Sequence, residues 1–403
     1  METTDTILTL AVMLGAGLVA RVAADRLRLP EMLLLLAAGV VVGPEALAWA
    51  DVPLKSDAAQ VLLTLGVSFI LFHGGFGLSV RVLERTAVGL VALAIPGVVI
   101  TAAVAGMGAA WLFGVDPLVG LLIGAVLAPT DPAILVPLFA RLKMRPKVAQ
   151  TAIAESALND PTGAVLALAL AAAVMSGGAS IPSVAWEFVV EVAISVVLGG
   201  ALGVALALVV SSRASGIWRE SSTLAVVAAV GLGYVGIDAA GGSGYLGAFL
   251  AGVIVGNMGE LRHRMQLEHK RELETSVGAL SDTATILVFV LLGSQLPWGA
   301  LGEHWASALG VVAVLLFIAR PLTVALCLLP DRRSRWTRSE LVFLGWTRET
   351  GVVPTALAGI LIAKGVEGAE LAAVCVALAL VVTVGLQATT KPWLARRLGL
   401  LDD

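Results

Sequence analysis

Thirteen long apolar runs follow one another through the 403-residue chain. They lie near 6–24, 31–49, 58–79, 87–113, 117–140, 148–175, 184–211, 221–238, 243–258, 276–295, 305–329, 339–363 and 369–390. A helix that crosses bilayer hydrocarbon needs about 20 mainly apolar residues. Runs of that length, so closely spaced, leave no room for a soluble domain between them. Only 14% of the residues are charged, against about 25% in an average soluble domain, so a water-facing surface could not be covered. No run alternates with period 2, which argues against a membrane barrel. A net charge of -3 argues against a basic nucleic-acid binder. The chain reads as an all-α polytopic membrane protein of about 13 transmembrane helices.

Lys and Arg are distributed unevenly between the loops. Twenty-two of them fall in the odd-numbered loops and the C-terminal tail, where Lys391, Arg396 and Arg397 are counted. The even-numbered loops hold Lys55 and Lys364. The positive-inside bias places the odd loops and the C-terminus in the cytoplasm and the N-terminus outside, in a plasma (inner) membrane. The longest polar stretch, 259–275, reads as a cytoplasmic interfacial segment. The acidic start METTD lacks the basic flank of a signal peptide, so the first run reads as a retained helix. Cys327 and Cys375 sit inside apolar runs and read as small hydrophobes, with no metal or disulfide spacing.

Seven ionisable residues fall within the runs: His73, Asp131, Glu155, Asp160, Arg320, Arg348 and Glu349. Each costs several kcal/mol at membrane depth unless paired or hydrated, so together they point to a charge-lined path. Two runs are interrupted near the middle. In the fifth, Pro129 and Pro132 flank Thr130 and Asp131. Proline removes a backbone donor and clashes one turn back, so the helix is expected to break there. In the twelfth, Arg348, Glu349, Thr350, Gly351 and Pro354 interrupt the pattern. These two runs are seven apart and therefore oppositely oriented. Broken helices at matching places in two halves are the sign of an inverted-repeat transporter. The halves are runs 1–6 and 8–13, inverted repeats of six helices with two crossing broken helices.

The sixth run carries Glu155, Ser156, Asn159 and Asp160, with Pro161 following. Ser156 and Asp160 are four apart and share a helix face. With Asp131 they supply two carboxylates, a hydroxyl and freed carbonyls, which suit a small hard cation. A carboxylate held away from water takes either a proton or a cation and does not take both well. That competition is the core of an antiporter. A channel or uniporter, or an organic-anion symporter on a related inverted-repeat fold, remains the alternative. An enzyme is not expected: no GxGD-like or HExxH motif is present.

The TDP of Thr130–Pro132, the ESALND of Glu155–Asp160 and the embedded Arg320 and Arg348 resemble the monovalent cation:proton antiporter family, in its NhaP/NHE-like branch. The resemblance covers essentially the whole chain. It implies Asp160 as the main ion and proton carrier. It implies Asp131, Ser156 and the Thr130 carbonyl as further ligands of a monovalent cation, Na+ or K+. Asn159 stands where the electrogenic branch has a second Asp, which implies electroneutral exchange. Glu155 and Arg320 match a structural ion pair. No cofactor is implied beyond the transported ions. The family also implies a homodimer, with 1–79 and 184–295 as scaffold helices and 87–175 and 305–390 as the mobile core.

The chain departs from the family at two places. His73 stands near where relatives carry an acidic residue, and reads as a proton-path group, a gate or a hydrogen-bonded core histidine. Arg348-Glu349-Thr350-Gly351 replaces an Arg-Gly, so Glu349 either neutralises Arg348 or adds a carboxylate to the crossing. Glycine-rich stretches at 73–77 and 196–206 fit close helix packing.

Overall fold

The computed structural model describes residues 3–27, 29–79, 88–131, 135, 138–139, 142–177, 181–210, 221–258 and 270–401. Pro132, the second half of the fifth run up to 134, residues 259–269 of the expected interfacial segment, and the loop residues Arg81, Arg85, Arg141, Arg213, Arg219, Arg262 and Arg264 lie outside the described residues.

Helix follows helix. The first three are α1 (Thr3–Leu27), α2 (Glu31–Val42) and α3 (Asp57–Gly77). Then come α4 (Pro96–Phe113), α5 (Pro117–Leu127), α6 (Pro146–Ser176) and α7 (Ile181–Val210). Next are α8 (Ser222–Ala239), α9 (Gly244–Gly256) and α10 (Lys270–Ser294). A longer rod joins α11 (Trp298–Val314), a π turn at Leu315–Ala319 and α12 (Arg320–Leu328). The chain closes with α13 (Arg338–Trp346), α14 (Val352–Lys364), α15 (Ala369–Val382), a second π turn at Thr383–Gln387, and α16 (Ala388–Arg397). Among the described residues, nine helical spans are long and apolar enough to cross a membrane, and four apolar helices are shorter.

Local chemistry sets many of the ends. Proline occupies the first turn of α4, α5 and α6, where a missing N–H leaves no bond unmade. The Asp116 carboxylate accepts the Leu118 N–H to cap α5. Gly114 and Gly177 close α4 and α6 with φ of 68° and 69°, the left-handed geometry that glycine adopts without penalty. Thr337 and Glu340 form a reciprocal capping box at the start of α13. Residues 270–275, the end of the expected interfacial segment, are helical and continuous with the rest of α10.

The chain forms two compact units. One comprises Met1–Leu63, Thr86–Gly178 and Ile286–Asp403; the other comprises Thr64–Arg85 and Ala179–Thr285. In the second unit, Phe72, Phe76, Leu206, Val226, Val230, Val255 and Leu273 form a core. There Gly75 lies against the Phe249 carbonyl and Gly199 against the Gly247 backbone, so both glycine-rich stretches serve backbone-to-backbone packing. In the first unit, Leu93, Phe139, Val148, Val324, Leu328, Phe343 and Leu344 pack together. The outer surface is apolar as well: Leu18, Val19, Trp111, Trp186, Leu232 and Phe317 are all exposed. Apolar faces on that scale mark a surface meant for lipid or protein rather than water.

Within the first unit, α4 and α5 approach so closely that a Cβ on Gly124 would strike the Ala102 carbonyl and lie 2.6 Å from the Gly106 nitrogen. Both are backbone atoms and cannot rotate away. Gly124→Leu is therefore expected to cost about 1–3 kcal/mol, read as a lower unfolding midpoint of the detergent-extracted protein. Gly231→Ala, where a Cβ meets nothing within 4 Å, is the control. An unchanged midpoint for Gly124→Leu would refute the packing account.

Candidate functional site: two helix breaks joined by a buried charge cluster

The fifth run breaks after α5: residues 129–131 are non-helical and buried. The twelfth run is two helices, α13 and α14, separated by the buried, non-helical segment 347–351. Both breaks lie in the first unit, and they meet. The Asp131 N–H donates to the Glu349 carbonyl at 3.0 Å. The Val352 N–H, at the start of α14, donates to Asp131 Oδ2 at 3.1 Å. Arg348 reaches the other way. Its Nη1 donates to the Ala128 carbonyl at 3.1 Å, and its Nη2 donates to the Ala128 and Leu127 carbonyls.

Each half-helix end leaves peptide groups without intrahelical partners. Here a guanidinium takes the last carbonyls of α5, and a carboxylate takes the first N–H of α14. Those are the signs each helix dipole favours. Asp131 thus caps α14, the half-helix across the crossing. A Cβ on Gly351 would collide with the Asp131 carboxylate, so only glycine admits this approach.

Helix α6 supplies the third wall. Pro161 sits inside it and cannot donate to the Ala157 carbonyl; next to it, Thr162 Oγ1 donates back to the Leu158 carbonyl at 2.9 Å, a bond that tends to bend a helix. Thr130 is held from both sides. Its N–H donates to Asn159 Oδ1 at 3.1 Å, and its Oγ1 accepts from Asn159 Nδ2 at 2.8 Å. Its hydroxyl also shares a hydrogen bond of 2.8 Å with Ser156 Oγ. Asn159 therefore clamps the Thr130 backbone and side chain. Asp160 is buried beside this group, and its Oδ1 has no hydrogen-bond partner.

Arg320 and Glu155 form a two-armed ion pair, with Nη2 donating to Glu155 Oε2 at 2.9 Å and Nη1 to Oε1. Arg320 Nε donates to the Leu344 carbonyl, in the last turn of α13, at 3.0 Å. The π turn at Leu315–Ala319 immediately precedes Arg320. Such a turn shifts the register of the helix face that follows and is common at functional sites.

The second π turn brings residues that sequence reasoning missed. Thr383 Oγ1 accepts the Thr350 N–H at 3.1 Å, and Gln387 Oε1 accepts the Arg348 N–H at 3.1 Å. Lys391 is fully buried and forms an ion pair with Glu349. Lys391 therefore does not belong with the tail charges; Arg396 and Arg397 remain there. Glu349 neutralises Lys391, while Arg348 spends its guanidinium on carbonyls. The available signal was spacing: Thr383, Gln387 and Lys391 are successive fourth residues on a helix, and a lysine followed by Pro392 and Trp393 resembled a membrane-exit anchor.

Among the described residues of this cluster, three cations (Arg320, Arg348, Lys391) face four carboxylates (Asp131, Glu155, Asp160, Glu349), all buried. One negative charge is left over. His73 belongs to the second unit. It is half-buried on α3, beside Gly278 of α10, and the Asp282 and Glu274 carboxylates act on it electrostatically.

The chain matches the family model described as sodium/hydrogen exchanger, transmembrane, over residues 9–397. It is 28% identical over 355 residues to the K(+)/H(+) antiporter NhaP of Alkalimonas amylolytica, covering 88% of this chain and 60% of that protein. It is 30% identical over 374 residues to Na(+)/H(+) antiporter 1 of Methanocaldococcus jannaschii, covering 87% of this chain and 81% of that one. The solved structure of the sodium proton antiporter MjNhaP1 from the same organism, at pH 8, superposes with a TM-score of 0.86 at 25% identity and covers 99% of each chain. The chain spans about three fifths of the length of the K(+)/H(+) antiporters it matches. With its apolar spans and two crossed helix breaks, this multi-pass membrane protein belongs to the sodium/hydrogen exchanger family.

Proposed function

We propose that the chain exchanges one monovalent cation, Na+ or K+, for one H+ across a plasma membrane by alternating access. The observation that carries the reading is Asp160 Oδ1: a buried carboxylate oxygen without a hydrogen-bond partner, in a cluster with one uncompensated negative charge. Either a proton or one alkali cation neutralises that charge, and the two compete for it. A single exchangeable charge supports electroneutral, one-for-one turnover. The names of the relatives, K(+)/H(+) and Na(+)/H(+) antiporters, support the same class of cargo.

Asp160 is the carrier in this reading. Asp131, Ser156 and the Thr130 carbonyl complete the cation's oxygen shell, and Asn159 holds Thr130 in place for it. Glu155 and Arg320 bind α6 to α12 and α13 as a structural pair. Scaffold helices at 1–79 and 184–295 form a homodimer, and core helices at 87–175 and 305–390 move with the ion. The N-terminus lies outside and the C-terminus in the cytoplasm, following the loop charges. His73 is a candidate proton-path or gate residue of the second unit.

Proteoliposomes with an imposed proton gradient and a pH-sensitive dye test this. Wild-type protein should dissipate the gradient on addition of Na+ or K+, at a rate independent of a valinomycin-set potential. Asp160→Ala should abolish the signal while remaining folded; full activity in that variant would overturn the assignment. Competition also sets a pH law. On the acid side the apparent KM for the cation should rise about tenfold per pH unit, as the ion-competent fraction falls; a KM independent of pH would exclude a shared site. Glu155→Ala strands Arg320, and breaking a buried pair costs about 3–5 kcal/mol. Its unfolding midpoint should fall well below that of Asp160→Ala, and equal midpoints would count against a structural role.

A further inference from the structure

The helical stretch from α15 to α16 presents one polar stripe to the crossing. Thr383, Gln387 and Lys391 lie four residues apart, and each takes a different part of the segment Arg348–Glu349–Thr350. Thr383 accepts the Thr350 N–H, Gln387 accepts the Arg348 N–H, and Lys391 pairs with the Glu349 carboxylate. The Glu349 carbonyl of the same segment accepts the Asp131 N–H, and the Val352 N–H, at the start of α14, donates to the Asp131 carboxylate. Four short links thus run from Lys391 to a carboxylate of the ion site: ion pair, Glu349 side chain, Glu349 peptide, Asp131 N–H.

We infer that Lys391 is a positioning residue for ion exchange, and that its pair with Glu349 keeps the crossing electrically balanced around the single exchangeable charge at Asp131 and Asp160. The inference rests on the exchange reading above. A matched pair buried away from water projects little net field. Removing one member leaves a lone charge, and at low dielectric a lone charge is felt over many ångströms. The other charges facing the pair are Arg348 in the same break, Arg320 on α12, Glu155 and Asp160 on α6, and Asp131 in the α5 break. The substitutions alter none of these other residues, so the change in net charge comes from the pair alone.

Lys391→Met leaves Glu349 negative. A more negative surrounding favours the proton and the cation alike. The acid limb of the exchange profile should then move to higher pH, and the KM for the cation at alkaline pH should fall. Glu349→Gln leaves Lys391 positive and should do the reverse: acid limb to lower pH, alkaline KM raised. The expected size is about one pH unit and about tenfold in KM, the scale of a unit charge roughly 10 Å away at an effective dielectric of about 20. The double variant Glu349→Gln/Lys391→Met, which removes both charges, should return both quantities toward wild type.

Proteoliposome exchange across pH, with Na+ and K+ as the probe cations, reads both parameters for all four proteins. A merely structural pair would lower the amount of active protein and leave the pH midpoint where it was. Single variants with a wild-type midpoint, or with shifts in the same direction, overturn the inference. So does a double variant that fails to revert. If Lys391→Met is not recovered folded, Glu349→Gln against the double variant makes the same comparison. Wild-type protein that dissipates no gradient with either cation overturns the exchange reading instead, and the inference falls with it.

Discussion

The structure depends on how two interrupted helices satisfy each other. A break in a membrane helix strands carbonyls at one end and N–H groups at the other, and lipid offers neither a partner. Here the end of α5 is closed by the Arg348 guanidinium, and the start of α14 by the Asp131 carboxylate. Each break carries the charge that the other needs. Neither half-helix pair is complete without the other, and this reciprocity fixes where Asp131 can be. Gly351 is part of the same constraint, since any side chain there would displace the carboxylate.

Around that joint the protein places an unusual number of buried charges and pairs most of them. Arg320 is bound by Glu155 and by a carbonyl of α13. Lys391 is bound by Glu349. Pairing of this kind seldom adds stability over apolar packing, but a buried charge with its partner removed is strongly destabilising. The pairs therefore behave as a frame around Asp160, whose Oδ1 is left without a hydrogen bond and, unlike the Glu349 carboxylate, without a cation paired to it among the described residues. Matching the other charges leaves one net negative charge in the cluster, shared by the neighbouring carboxylates Asp131 and Asp160. The two π turns belong to the same design: one immediately precedes Arg320, and the other runs from Thr383 to Gln387, so each lies where a helix delivers polar side chains.

Much of this was legible in the sequence. Apolar run length is a direct consequence of bilayer thickness, so the helical class and the segment order could be read from composition alone. Both breaks were visible because proline, glycine and charge are each unfavourable mid-span and were found together. Ser156, Asn159 and Asp160 could be placed on neighbouring faces of one helix by counting in fours. Lys391 misled, because a basic residue near the end of an apolar run is usually an interfacial anchor. Its distance from the membrane's edge depends on where the last helix starts and on a π turn that no local pattern announces. For Glu349 the sequence left two readings open, a local pair with Arg348 or a carboxylate added to the crossing; the side chain is buried in the crossing against Lys391, because successive residues in an extended segment point to opposite sides.

Sequence by itself determined that this chain lives in a membrane, is built of helices, and carries a cluster of carboxylate, hydroxyl and amide side chains where two helices fail. Those properties follow from local physics: hydrophobic length, backbone chemistry of proline and glycine, and helical periodicity. Tertiary structure alone decided which charge meets which. Asp131 caps a helix more than two hundred residues away, Arg348 closes the end of α5, and Lys391 joins Glu349 across separate helices. Such partnerships depend on three-dimensional packing at ångström scale, which spacing along the chain does not encode.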